Sequence, residues 1–148
     1  MAFRFALAPL LRLRQSIEHQ RALALQEASL QLARSRETLA RLERYLADAA
    51  LADSASLARG GTAAELQFAS LLREQFRQFH LQLEEEIRRL DALRQQAAQA
   101  YQQAYREREV LETLRSRQHR AYQLEQARRQ QQELDAAYLL QLVHDRDG

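Results

Sequence analysis

The fold of this chain depends on residues 52–63, which read ADSASLARGGTA. Two adjacent glycines, Gly60 and Gly61, stand among small turn-forming residues, and such a cluster interrupts a helix. Thr62 is followed three residues later by Glu65, which is the spacing of a capping box at the start of a new helix. The stretch therefore predicts helix one over about 9–52, a turn over about 53–62 and helix two over about 63–143.

Both predicted helices carry an apolar seam. In helix one, leucines recur every seven residues at Leu25, Leu32, Leu39 and Leu46. In helix two the seam positions alternate spacings of three and four, as in a coiled coil, and they are Phe76, Phe79, Leu83, Glu86, Leu90, Leu93, Ala97, Ala100, Ala104, Glu107, Leu111 and Leu114. Two such helices joined by a short loop form an antiparallel hairpin. The predicted fold class is all-α, a single elongated domain made of an antiparallel two-helix coiled-coil hairpin with a longer second helix.

The positions of the leucines also predict a register. If the chain reverses near Leu57, then Leu39 lies opposite Phe76, and Leu11 meets Ala104 at the start of helix one. The residues that precede Pro9 are expected to be extended or disordered. Helix two beyond Ala104 would then have no partner in this chain, and a long unpartnered helix is typically a binding element or frays.

Composition excludes several classes of protein. The hydrophobic fraction is 46%, and it comes mostly from Leu and Ala, which favour helices; all 22 basic residues are Arg. Acids and arginines interleave along the chain, so no single basic face predicts nucleic-acid binding. The absence of Cys excludes disulfides and thiolate metal sites, and no apolar run is long enough to span a membrane. Arg12 and Arg14 interrupt the apolar N-terminal stretch, which favours a mature cytoplasmic N-terminus over a targeting segment.

No catalytic or metal-binding pattern is recognisable. The four histidines, His19, His80, His119 and His144, include no pair at the four-residue spacing of a helical metal site. Gly60-Gly61 lacks the GK[ST] ending of a phosphate loop, and consecutive carboxylates such as Glu84-Glu85-Glu86 point in different directions around a helix. We therefore predict a protein that is not an enzyme and has no cofactor or metal.

The aromatic residues near the glycines are a better indication of function. Tyr45 and Phe68 lie just off the seam, where a two-helix hairpin does not cover both flanks. Exposed aromatics of this kind favour contact with a partner protein. The alternative, that Tyr45 lies across the groove as an edge residue, is equally compatible with the pattern.

The two ends of the chain resemble the FliJ family of flagellar export proteins. At the N-terminus the resemblance is carried by the run Phe3-Arg4-Phe5-Ala6-Leu7-Ala8-Pro9-Leu10-Leu11-Arg12-Leu13-Arg14, with Glu18 following. At the C-terminus it is carried by residues 115–135, which contain Tyr122, Arg128, Arg129 and Gln132-Glu133-Leu134-Asp135. The chain departs from the family pattern at Gln132, where Lys is common, and at Ala136, where an acid is common.

The resemblance implies a two-helix coiled coil similar to the stalk subunit of rotary ATPases. It also implies three partners, namely the export ATPase ring, the cytoplasmic domain of the export gate and export chaperones, with a cytoplasmic location and membrane association only through those partners. We expect two partner-binding surfaces on this basis. The glycine-end surface, expected to face the gate, comprises Leu42, Tyr45, Ala49, Phe68 and Leu72. The C-terminal surface, expected to contact the ATPase, comprises Arg115, Tyr122, Arg128, Arg129, Leu134 and Asp135.

Three other interpretations stay open at this point. The injectisome stalk proteins have the same layout, so an injectisome stalk protein is a close variant of the flagellar interpretation. Two copies of the chain could instead bury each other's C-terminal halves in a structural coiled coil. A helix that uses the arginines of residues 115–129 to bind nucleic acid is the third alternative.

Overall fold

In a computed structural model, which describes residues 2–147, the chain forms two α-helices. Helix α1 spans Ala8–Ala58 and helix α2 spans Ala63–Asp147. The two run antiparallel as a helical hairpin with a longer second helix, and no strand occurs among the described residues. The predicted all-α hairpin with a longer second helix is confirmed.

The turn between the helices is shorter than predicted. Helix α1 continues to Ala58 instead of ending near Ala52, because its serines are accommodated within the helix: the Ser54 hydroxyl donates to the Ala50 carbonyl at 3.0 Å. The helix then ends in a Schellman motif, in which Gly60 has a φ of 85° and the N–H of the next residue reaches back to the Ser56 carbonyl at 3.2 Å. Glycine adopts this left-handed conformation without the steric penalty of a Cβ.

Helix α2 starts with the predicted capping box. The Glu65 N–H donates to the Thr62 hydroxyl at 3.2 Å, and the Thr62 N–H donates to the Glu65 carboxylate at 3.3 Å. This reciprocal pair satisfies two of the N–H groups that a helix start leaves without partners. Between them, the Schellman motif and the capping box reverse the chain within residues 59–62.

The chain divides into two compact units. The hairpin unit is residues 20–102 and contains the turn, and its most buried apolar side chains are Leu32, Leu42 and Leu90. The predicted register is wrong here, since Phe76 lies against Tyr45, with ring centroids 5.0 Å apart, and not opposite Leu39. The physical reason is the later end of α1, which moves the point of reversal from Leu57 towards the glycines.

The terminal unit is residues 2–19 together with residues 103–147. Its core consists of Phe5, Leu11 and Leu111, with Phe3, Ala8 and Leu114 packed around it. The prediction that Leu11 meets Ala104 and that α2 has no partner thereafter is therefore wrong. Because of the shifted register and the packing of the N-terminal residues, a longer part of α2 is packed against the rest of the chain than predicted.

The N-terminal lead, residues 2–7, is not helical, but it is packed. The Phe3 ring stands edge-on to the ring of His119, with centroids 4.9 Å apart, and lies 5.6 Å from that of Tyr122. The lead thus extends the packing of α2 as far as Tyr122, about two turns beyond Leu114. The last part of α2, residues 127–147, is exposed at every described position.

Candidate partner-binding surfaces

The structure divides the predicted glycine-end surface into buried and exposed residues. Leu42 is 8% exposed and belongs to the core of the hairpin unit, whereas Phe68 is 68% exposed. Tyr45 is half-exposed and lies on Phe76, so it fills the groove and also presents an edge. Ala49 is partly buried and Leu72 is at the border of exposure. The available part of this surface is therefore Phe68, Leu72 and the outer edge of Tyr45.

Two exposed apolar residues beside Phe68 were missed by the sequence analysis. Leu71 and Leu66 are both exposed on the first turns of α2. The seam pattern begins only at Phe76, so it does not reveal which earlier leucines are covered. The sequence does carry a signal for this apolar cluster, because apolar residues recur at 66, 68, 71 and 72. These positions lie on the first turns of a helix that follows a glycine turn, where there is little to pack against.

Polar side-chain contacts connect α1 to α2 in the hairpin unit. Arg73 donates to Asp53 at 2.6 Å, and the His80 ring lies 3.2 Å from the carboxylate of Glu43. Such exposed pairs contribute little stability, but they favour one register over its neighbours because a shift of one turn separates them. Within α2, hydrogen bonding from Arg89 lowers the pKa of the Glu86 carboxyl group.

The predicted C-terminal surface also divides. Tyr122 is partly buried beside Phe3, whereas Arg115 is exposed. Further along, Arg128 and Arg129 both contact the Glu125 carboxylate, at 2.9 and 3.4 Å. Leu134 is 65% exposed, and the Asp135 carboxylate accepts a hydrogen bond from Gln131 at 3.0 Å. The predicted residues therefore do not form one patch but lie on a covered part and an uncovered part of α2.

A charged cluster fastens the start of α1 to α2 in the terminal unit. The guanidinium of Arg108, whose side chain is only 16% exposed, donates to Glu18 across the helix pair and to Glu112 one turn along α2 at 2.8 Å. The Tyr105 ring lies 5.0 Å from the same guanidinium. The hydrogen bond to Glu18 is the main cause that raises the pKa of Arg108. Burial opposes this effect, and the charges of the surrounding carboxylates add to it. A second pair, Arg14 to Glu107 at 2.5 Å, lies beside this cluster.

The cluster was not predicted. Glu107 was placed on the apolar seam, and neither Arg108 nor Glu18 was connected to it. A pairing across ninety residues depends on the register, and the register was misplaced by the later end of α1. The sequence signal is weak, because Arg and Glu are common on every solvated helix face.

The described residues offer no group of three or more His, Asp or Glu side chains that could hold a metal ion. Within the same range, neither helix has a stretch both long and apolar enough to cross a membrane. The His80 ring contacts the carboxylates of Glu43 and Glu84, and the His119 ring contacts the ring of Phe3.

Comparison with protein families identifies a match. The model described as "Flagellar FliJ protein" matches the chain over residues 3–145. No curated protein and no solved structure gives a significant match. The matched range includes both of the helices and the N-terminal lead.

Proposed function

The chain belongs to the FliJ family, whose members are components of the flagellar export apparatus, and from that premise we propose that it is a non-enzymatic stalk and adaptor. In this role it links the export ATPase ring to the export gate and engages export chaperones. These partners imply that the protein lies in the cytoplasm and associates with the inner membrane peripherally, through its contact with the gate. The FliJ family is not a known family of enzymes.

The observation that carries the proposal is the uncovered end of α2. From Ala127 to Asp147 every described residue is exposed, and large apolar side chains are among them. By the helical period, Leu134, Tyr138 and Leu142 lie along one stripe, because they are spaced by four residues. A helix of this length that exposes an apolar stripe is typical of a segment that is covered by a partner protein. We assign the ATPase contact to this segment.

The test of this assignment is a chain truncated after Gln126. We expect it to keep the core of Phe5, Leu11 and Leu111, because those side chains lie before the cut, and to lose stimulation of the export ATPase. Stimulation would be measured as ATP hydrolysis by the purified ATPase with increasing amounts of either chain. If the truncated chain stimulates hydrolysis like the full chain, the assignment of this end to the ATPase is wrong.

The truncation point matters. A cut after Ala104, which the sequence-based register suggested, would remove Leu111 and Leu114 and so unfold the terminal unit. Loss of stimulation by that chain would then report lost folding and not a lost contact. A triple substitution of Leu134, Tyr138 and Leu142 by Gln is the matched control that keeps the helix length, and it is expected to reduce stimulation to the level of the truncated chain.

We assign the gate contact to the available part of the glycine-end surface. Phe68 is the most exposed aromatic side chain there, and aromatic anchors carry much of the energy of many interfaces. Substitution of Phe68 by Ala is expected to weaken binding of the isolated cytoplasmic gate domain by about ten-fold or more. Substitution of Leu140 by Ala, an equally exposed apolar residue in the terminal unit, is the control and should leave gate binding unchanged. Equal binding by both variants would remove the glycine-end surface from the proposal.

A second candidate is a self-associating coiled coil, because the same apolar stripe of α2 would suit a second copy of this chain. The two functions differ in the oligomeric state that they require. Light scattering of the full chain at low micromolar concentration is expected to give the mass of a monomer if the stripe is reserved for the ATPase. A stable dimer that the Leu134, Tyr138 and Leu142 substitutions dissociate would favour self-association.

A further inference from the structure

The terminal unit contains a cavity of about 750 Å³ between the N-terminal lead, the first turns of α1 and helix α2. Phe3, Phe5 and Leu11 form its apolar floor, and two of these side chains, Phe5 and Leu11, are buried core residues. Arg4, Arg12 and Arg115 stand around it, and all three are exposed. Pockets of this size commonly hold one or a few side chains of a ligand or partner.

The positive charge of this cavity is not compensated within the described residues. Arg4, Arg12 and Arg115 have no ion pair there, whereas their neighbours Arg14 and Arg108 are both paired with glutamates. The contrast has a simple origin in the sequence, since the first 17 residues contain no Asp or Glu. Three guanidinium groups without acidic partners are thus held around one apolar floor.

We propose that this cavity binds an acidic segment of a partner protein, with an apolar side chain on the floor and flanking carboxylates on the arginines. Arginine forms paired hydrogen bonds with a carboxylate, which gives such contacts both strength and orientation. The apolar floor adds a buried anchor of the kind that dominates many protein interfaces. The inference does not depend on the stalk function, because it specifies the chemistry of the occupant and not its identity.

The observations favour a peptide over a nucleic acid. The other arginines of this part of α2, Arg117, Arg120, Arg128 and Arg129, are spread around the helix by its period of 3.6 residues and form no single basic face. Two of them, Arg128 and Arg129, are already paired with Glu125. A nucleic acid presents a regular line of phosphates and needs a matching line of cations, whereas this cavity combines a local cluster of charge with an apolar floor.

The experiment compares probes of defined chemistry on the full-length chain by fluorescence anisotropy. The first probe is a labelled peptide of Glu and Leu at helical spacing, the second is the same peptide with Gln in place of Glu, and the third is poly-glutamate. A labelled single-stranded oligonucleotide represents nucleic acid. We expect the Glu–Leu peptide to bind more tightly than each of the others.

Two variants locate the binding. In the first, Arg4, Arg12 and Arg115 are all replaced by Gln. In the control, three exposed arginines that do not line the cavity and have no ion pair, Arg21, Arg88 and Arg117, are replaced by Gln, which changes the net charge equally. The first variant is expected to bind the Glu–Leu peptide at least about ten-fold more weakly, and the control to stay within about two-fold of the unaltered chain.

Four outcomes would overturn the proposal. They are no binding of the Glu–Leu peptide up to about 1 mM, equal weakening by the two arginine variants, equal binding of poly-glutamate, and tighter binding of the oligonucleotide. Equal weakening would show that only the overall charge matters, and equal binding of poly-glutamate that the apolar floor has no part. All substitutions are at exposed positions, and circular dichroism of each variant confirms that weakening does not come from unfolding.

Discussion

Residues 103–126 and residues 127–147 belong to the same helix, yet they differ in what covers them. The first part lies under the start of α1 and under the N-terminal lead, with Leu111 in the core and Arg108 held by Glu18. The second part is exposed at every described position and exposes several leucines. Both parts are rich in Leu, Ala, Gln and Arg, which favour helix whether or not a partner is present. Helix formation in this chain is therefore a poor guide to where its stability resides.

The largest difference is expected in amide hydrogen exchange. Amides of residues 130–145 should exchange by local fraying, whereas those of residues 104–118 should exchange only when the packed unit opens. We expect protection factors to differ by about 1,000-fold or more between the two ranges, measured by exchange followed by mass spectrometry or NMR. Equal protection in the isolated chain would mean that residues 127–147 have a partner, such as a second copy.

Truncation of a buried leucine should be the next largest effect. Leu111 is 9% exposed and touches Phe5 and Leu11, so replacement by Ala leaves a cavity and should reduce the free energy of unfolding by about 3 kcal/mol. Leu140, which is 72% exposed on the same helix, is the matched control, and its replacement should change that free energy by less than about 0.5 kcal/mol. Urea unfolding followed by circular dichroism measures both. Similar losses at the two positions would contradict the division of α2.

Substitution of charged residues should show the same contrast between the two parts of α2, with smaller changes in the free energy of unfolding. Replacement of Arg108 by Ala leaves Glu18, whose side chain is largely buried, without its partner, and should cost about 2 kcal/mol of unfolding free energy. Replacement of Arg128, which pairs with Glu125 at an exposed site, should cost less than about 0.5 kcal/mol. The comparison is made in urea at low and at moderate salt. The contrast between covered and exposed pairs would be refuted if replacement of Arg128 reduced the free energy of unfolding as much as replacement of Arg108.

The smallest expected effect concerns pH. Hydrogen bonding from Arg89 lowers the pKa of Glu86 below its ordinary value of 4.5. Because the folded-state pKa is the lower one, the pair stabilises the fold above pH 4.5 and this contribution disappears as the pH falls through the folded-state pKa. The carboxyl titration of Glu86, followed by NMR, should move back towards 4.5 when Arg89 is replaced by Gln. An unchanged titration in that variant would assign the lowered pKa to another cause. Since the pair is exposed, we expect no measurable change in the urea midpoint at neutral pH.

Much of the local structure was predictable from the sequence because its signals act over a few residues. Gly60 satisfies a backbone conformation that other residues avoid, and the Thr62 and Glu65 side chains cap the helix that follows. The end of α1 was misplaced because serines favour turns in general, although Ser54 returns its hydrogen bond to its own helix. Which apolar side chains near the glycine end are covered was predicted less well, since Leu42 is buried and Leu71 is exposed.

By itself, the sequence determined that this chain is a two-helix hairpin and that its second helix is the longer one. Helix propensity, heptad spacing and capping are local properties, and they do not require knowledge of the partner helix. Only the tertiary structure decided which residues face each other, that Phe3 and Phe5 fold onto α2, and that Arg108 meets Glu18. These contacts join residues distant in sequence, and a small change in the turn shifts them all. The uncovered length of α2 was therefore overestimated until the position of the N-terminal lead was known.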